Sequence, residues 1–186
     1  MIVLLRETPE LPEMRIQLIW PNSTWTRIWH NLRDAPVTDD IKTIWYRAIH
    51  DIIPTHVRLK RINMITSPLC RECNTDDDIQ HRIVYCGEGR QMWDWTKDKL
   101  TKILGTTPHQ IVDEWVTRPD FVIWLPKRRR AALWIIANFV DWRLRQRDRT
   151  TTQDYNDFLR RVRWKAHQSP RWDERVGRYL SVNLEE

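Results

Sequence analysis

All three cysteines of this chain fall within 17 residues, and with one histidine they form the pattern C-x2-C-x7-H-x4-C at Cys70, Cys73, His81 and Cys86. Three thiolates and one imidazole are a complete ligand set for tetrahedral Zn²⁺ and leave no position for a catalytic water. A C-x2-C pair lets a tight turn aim two sulfurs at one metal. Ser67-Pro68-Leu69 before it and Asn74-Thr75-Asp76 after it are suitable turn formers. The x4 gap predicts a short helix carrying His81, with Cys86 just past its end. The alternative is three buried free thiols near a polar histidine, since cysteine is often buried for packing alone. A disulfide framework conflicts with the odd cysteine count, and Met1-Ile2-Val3-Leu4-Leu5 is apolar but stops at Arg6-Glu7, unlike a secretory signal. The expectation is one structural Zn²⁺ in an intracellular protein, nuclear or cytoplasmic.

The chain has 186 residues, enough for one domain or one domain with an appendage. Its 12 tryptophans can fill a core with few residues, because each buries a large area. With four glycines and only short β-branched runs, helices are favoured over sheets. The longest apolar stretch, Ala131 to Val140, is about half of the ~20 residues that span a bilayer. No membrane contact is expected.

Hydrophobic periodicity marks the helices. Trp25, Ile28, Trp29 and Leu32 predict a helix over 24–33, capped by Ser23 or Thr24. Ile41, Ile44, Trp45 and Ala48 predict a second over 39–50, capped by Thr38 with Asp39 and Asp40 in its first turn. Pro54 ends it, and Thr55 caps a short third helix through Ile62. Beyond the metal motif and Gly87, a helix over 88–104 carries Trp93, Leu100, Ile103 and Leu104. Thr107-Pro108 starts another with Ile111, Val112 and Trp115. Pro119 and Pro126 bracket a connection to the longest helix, 127–147, with Leu133, Trp134, Ala137, Val140 and Leu144 inward. A further helix starts near Thr152, with Tyr155, Phe158, Leu159 and Val162, and a last segment holds Trp172, Val176, Tyr179 and Leu180. The fold class is mainly α: a helical array with an inserted CCHC zinc knuckle. The expected organisation is an extended arm over 1–22, a helical zinc-binding domain over 23–147 and a basic helical extension over 148–186. Trp25, Trp29, Trp45, Trp93, Trp134 and Trp142 read as core. Trp164 and Trp172 are flanked by arginines and are less clearly so.

Certain of these residues resemble a known family. Ile44-Trp45-Tyr46-Arg47-Ala48-Ile49-His50, then Ile53-Pro54-Thr55, Arg58-Leu59 and the Cys70–Cys86 cluster are similar to the zinc-binding region at the C-terminus of non-LTR retrotransposon reverse transcriptases. Gln91-Met92-Trp93-Asp94-Trp95 takes the place of the family's aromatic-rich helix. Ala132-Leu133-Trp134 and Asp141-Trp142-Arg143 resemble its downstream helix. The resemblance runs over about 40–104 and extends to 147, with residues 1–37 and 148–186 covered weakly or not at all. The retroviral knuckle is a different motif, with four residues between the second cysteine and the histidine where this chain has seven. That longer loop holds Asp76-Asp77-Asp78, which reads as an acidic surface. The family's polymerase carries a Tyr/Phe-x-Asp-Asp turn that this sequence lacks, so polymerisation is not carried over. The chain looks like a separated C-terminal module and not an enzyme.

The resemblance, with the charge distribution, favours a zinc-stabilised module that binds RNA or DNA. Residues 127–186 hold 15 Lys/Arg against 8 Asp/Glu, whereas residues 1–126 hold 16 against 17. The candidate contacts are Lys127, Arg128, Arg129 and Arg130 at the start of the long helix, Arg143, Arg145, Arg147 and Arg149 at its end, and Arg160, Arg161, Arg163 and Lys165 beyond. They suit phosphates, hence salt-sensitive binding with little sequence preference. Cations at a helix N-terminus oppose its dipole, so Lys127–Arg130 requires a compensating anion. The plainer reading of any one cluster is a solvated helix face. A second function is a protein-interaction scaffold with a purely structural zinc, whose partner is the parent reverse transcriptase or another protein. A third is a restriction-like endonuclease remnant. Arg118-Pro119-Asp120 and Lys127 mimic its motif, but the next acid, Asp141, lies about six helical turns further on, at ~3.6 residues per turn.

Overall fold

The computed structural model describes residues 22–87, 89–145 and 160. Its helices are α1 (Asn22–Asp34), α2 (Asp39–Ile49), α3 (His56–Arg61), α4 (Gly89–Leu104) and α5 (Pro126–Arg145). A π-helical turn, His81–Tyr85, and two 3-10 turns, Pro108–Gln110 and Asp113–Val116, complete the order. Among the described residues there is no strand, only an isolated antiparallel bridge between Leu69 and Asp76. None of the helices is long and apolar enough to cross a membrane. The expected arm, the helix near Thr152 and the segment around Trp172 lie outside the described residues.

α5 is the axis of the array. It packs against α1, α2, α4, the π turn and the Asp113–Val116 turn. All thirteen residues from Ala131 to Arg143 are therefore buried, not one stripe of them. A helix enclosed on all sides loses the amphipathic signature of a surface helix. Leu133, Trp134, Ala137 and Val140 face inward as predicted, and Leu144 is partly buried. Trp25, Trp45 and Trp93 are core, with Trp29 packed beside them. Trp45 also donates its indole N–H to the Val116 carbonyl at 2.8 Å, tying α2 to the second 3-10 turn.

Three local expectations change. α1 already includes Ser23 and Thr24, so neither is its cap. Thr38 takes the cap position of α2 with extended backbone, but its hydroxyl bonds the Asp40 carboxylate and not a backbone N–H. The helix expected after Thr107 is replaced by the two 3-10 turns. Between them Ile111 is extended and buried, while Asp113 reaches across to α4. That carboxylate accepts from Tyr85 Oη, Arg90 Nη1 and Trp93 Nε1, each at 2.7 Å, and pairs with Lys97. Burial raises its pKa, but the bonds from Lys97, Tyr85 and Trp93 outweigh that and hold it well below the usual carboxylate range. A depressed folded-state pKa adds stability above the unfolded value of about 3.9, and that stability is lost as pH falls through the folded value. Asp113→Asn should therefore lower the melting temperature at pH 7 but lose most of this effect in strong acid. Melts across pH check it, and an equal deficit at every pH would contradict it.

Candidate metal centre

The C-x2-C turn is built from backbone bonds. The Asn74 N–H donates to the Cys70 carbonyl at 3.0 Å and the Cys70 N–H to the Thr75 carbonyl at 2.7 Å. Asn74 takes φ 57°, the left-handed conformation that asparagine tolerates better than most residues. His81 lies in the π turn, and Cys86 caps that turn in extended conformation, its N–H bonded to the His81 carbonyl at 2.7 Å. This matches the short helix with a terminal thiol expected from the x4 gap. Gly87, at φ 53°, closes the segment.

One ligand atom from each of Cys70, Cys73, His81 and Cys86 falls within 4.8 Å of the other three. Cys70 Sγ and Cys86 Sγ are 3.5 Å apart, and Cys73 Sγ is 3.2 Å from His81 Nε2. A disulfide needs ~2.05 Å. A tetrahedron with bonds of about 2.1–2.3 Å places its ligand atoms about 3.5–4 Å apart, so these residues fit Zn²⁺. Among the described residues no other group of His, Cys, Asp or Glu side chains could hold a metal. The electrostatics favour a cation there. Burial, then the Cys70 sulfur, pushes the Cys86 thiol up to about 12. Without a positive charge beside it the Cys86 sulfur would keep its proton. Burial lowers the His81 pKa and keeps the ring neutral, the form that ligates.

Residues 14–93 match the family model described as zinc-binding in reverse transcriptase. This segment is similar to that family. The match contains all four ligands, and with the Cys3His set it points to zinc. No curated protein and no solved structure matches the chain.

The supporting residues of this zinc-binding segment are mostly ones that spacing does not reveal. The Thr75 hydroxyl lies 3.3 Å from Cys73 Sγ and 3.2 Å from His81 Nδ1. It can donate to the thiolate while accepting the ring N–H, which fixes the tautomer that frees Nε2 for the metal. The same hydroxyl is the main cause of the lowered Cys73 pKa. Of the three consecutive aspartates, Asp76 and Asp78 are exposed, as an acidic surface requires, and Asp77 is not. Asp77 is buried and accepts from the His56 N–H at 2.9 Å and from Arg82 Nε at 3.1 Å, so it joins the start of α3 to the π turn. Asp78 accepts from the His81 N–H at 2.7 Å.

The candidate nucleic-acid contacts divide into three sets. Arg128 donates to the Leu104 carbonyl at 2.9 Å and Arg129 pairs with Asp34. The anion that Lys127–Arg130 requires at the α5 N-terminus is thus supplied by the C-terminal ends of α1 and α4. Arg143 is 6 % exposed and donates to the carbonyls of Ile83 at 2.9 Å, Cys86 at 2.8 Å and Arg82 at 3.3 Å. Its guanidinium holds the metal segment onto α5. Arg145 bridges Asp141 at 2.7 Å and Asp40 at 3.1 Å. Lys127 and Arg160 are exposed and Arg130 is half-buried. Arg147, Arg149, Arg161, Arg163 and Lys165 lie outside the described residues. The nuclease-like residues do not converge: Asp120 pairs with Arg118 at 3.3 Å, and Asp141 is buried against Arg145.

Proposed function

We propose that this chain is a non-catalytic, zinc-pinned helical module of a retroelement reverse-transcriptase protein, and that it binds nucleic acid through its basic C-terminal third. The observation that carries the reading is the Cys3His cluster, whose four side chains would fill every position of a tetrahedral zinc ion and leave none for a substrate or a reactive water. The metal then acts by fixing the fold. The excess of 15 Lys/Arg over 8 Asp/Glu in residues 127–186 favours a polyanion at that end. With Arg128, Arg129, Arg143 and Arg145 engaged inside the protein, the candidate contacts that remain are Lys127, Arg130 and Arg160, together with Arg147, Arg161, Arg163 and Lys165 outside the described residues. An intracellular site of action, in nucleus or cytoplasm, follows from such a partner.

Anisotropy titration with RNA and DNA strands across salt tests this. For about five phosphate contacts, a fourfold rise in salt should weaken binding roughly a hundredfold. Affinity that holds steady as salt rises would contradict a phosphate-dominated interface. A scaffold role is the second reading, favoured by α3, which buries none of its residues, and by Ile62 and Met64 beside it, 54 % and 69 % exposed. Partners that survive nuclease treatment in a pull-down would favour that reading, and loss of all of them would favour nucleic acid.

A further inference from the structure

Trp124 is 90 % exposed, in the connection leading into α5. Of the other tryptophans among the described residues, Trp25, Trp45, Trp93, Trp134 and Trp142 are buried, and Trp29, Trp95 and Trp115 are partly so. An indole left in water forgoes the large burial that places tryptophan in cores. Val122 and Leu125 beside it are 51 % and 53 % exposed, which makes a small apolar platform. Lys127 is three residues on, exposed and without an ion pair among the described residues, and Arg130 is three residues further. Positions 127 and 130 lie on one face of α5, one turn apart. The patch therefore sets one flat aromatic surface beside two cations on the basic side of the chain.

We infer that Trp124 is a stacking platform for an unpaired base, with Lys127 and Arg130 on the flanking phosphates, and that the preferred ligand is single-stranded nucleic acid. Every base has a π face, so an exposed indole with nearby cations binds single strands with little sequence preference. A duplex has its bases already stacked and offers the indole nothing. An apolar protein partner would also cover Val122, Trp124 and Leu125, but it would gain nothing from the cations at Lys127 and Arg130. This inference rests on the nucleic-acid reading above and names its ligand class and contact point.

The test uses the full-length, zinc-loaded chain with two labelled probes, a short pyrimidine strand and a duplex of the same length. Trp124→Ala should weaken strand binding by about tenfold to a hundredfold. Trp124→Phe should restore most of it, and duplex binding should stay as in the parent. Far-UV circular dichroism and zinc content verify that the variants are folded, which the exposure of Trp124 favours. If Trp124→Ala binds the strand as tightly as the parent does, or if strand and duplex binding fall together, the stacking platform is overturned while nucleic-acid binding stands. If the parent binds neither probe, the nucleic-acid reading itself fails, and the platform with it.

Discussion

Removing the metal with a strong chelator should unfold the helical core and not merely loosen one loop. The ligands reach deep into the packing. Ile83 and Val84, between His81 and Cys86, are fully buried and belong to the same core as Trp93, Leu100 and Phe139. The π turn that holds them packs on both α4 and α5. Structural zinc sites of this kind contribute an apparent ~10–16 kcal/mol at neutral pH, and a domain is typically stable by about 5–15 kcal/mol in all. Loss of the ion should therefore consume most of the stability. The sign with pH follows from the ligands. They bind as thiolates and neutral imidazole, and without the ion the Cys86 thiol is protonated at any physiological pH, since burial pushes it up to about 12. Protons then compete with the metal, so retention should improve as pH rises and fail as it falls. Circular-dichroism melts of zinc-loaded and chelated protein at two pH values check this, with added zinc restoring the helix signal. Superimposable melts would show that the four residues do not hold a structural ion.

The ligand set was legible because its information is local: three cysteines and a histidine at fixed spacing can be read without knowing the fold. The helices were legible where one face meets the core, as with Trp25, Ile28 and Leu32 in α1 or Ile41 and Trp45 in α2. The residues that the sequence hid act over long separations. Asp77 is one of three aspartates in a row, and only the fold shows that it is buried between Arg82 and the start of α3. Asp113 looked like a residue inside a helix, yet it anchors Tyr85, Arg90, Trp93 and Lys97, and those contacts prevent a continuous helix there. Thr75 read as a turn former because its neighbours Asn74 and Asp76 are turn formers. Its hydroxyl meets Cys73 and His81 only once the knuckle has closed. Trp124 carries no periodic signal because it stands alone in a connection. Arg143 was legible in the Asp141-Trp142-Arg143 resemblance and as a candidate phosphate contact, but not as the joint to the metal segment.

Arg143→Ala should be the most damaging single substitution outside the four ligands. Its guanidinium is the joint between the central helix and the metal segment, donating to the carbonyls of Arg82, Ile83 and Cys86. All three belong to the turn that carries two of the ligands. Truncation leaves these acceptors without their donor in a site from which water is excluded, and breaks hydrogen bonds to a charged group, each worth about 1.5–3 kcal/mol. It also removes the positive charge that offsets the net negative Zn–Cys3His unit and helps hold the Cys86 proton off. Loss on the order of 3–5 kcal/mol is expected, a fall in melting temperature of about 10 °C for a chain of this size. Arg143→Lys should recover little, because a lysine is a point charge and cannot spread fork-shaped donors over several carbonyls. The packing permits no easy repair from the other side. A methyl at Gly89 would lie 2.6 Å from Arg143 Nη2 and 2.8 Å from the Val84 carbonyl oxygen, so the helix start and the guanidinium are fitted to each other. Thermal melts of the two Arg143 variants, with competition titrations of their zinc affinity, measure both consequences. If Arg143→Ala melts within about 2 °C of the parent and holds zinc equally well, the guanidinium does not join the helix to the metal segment.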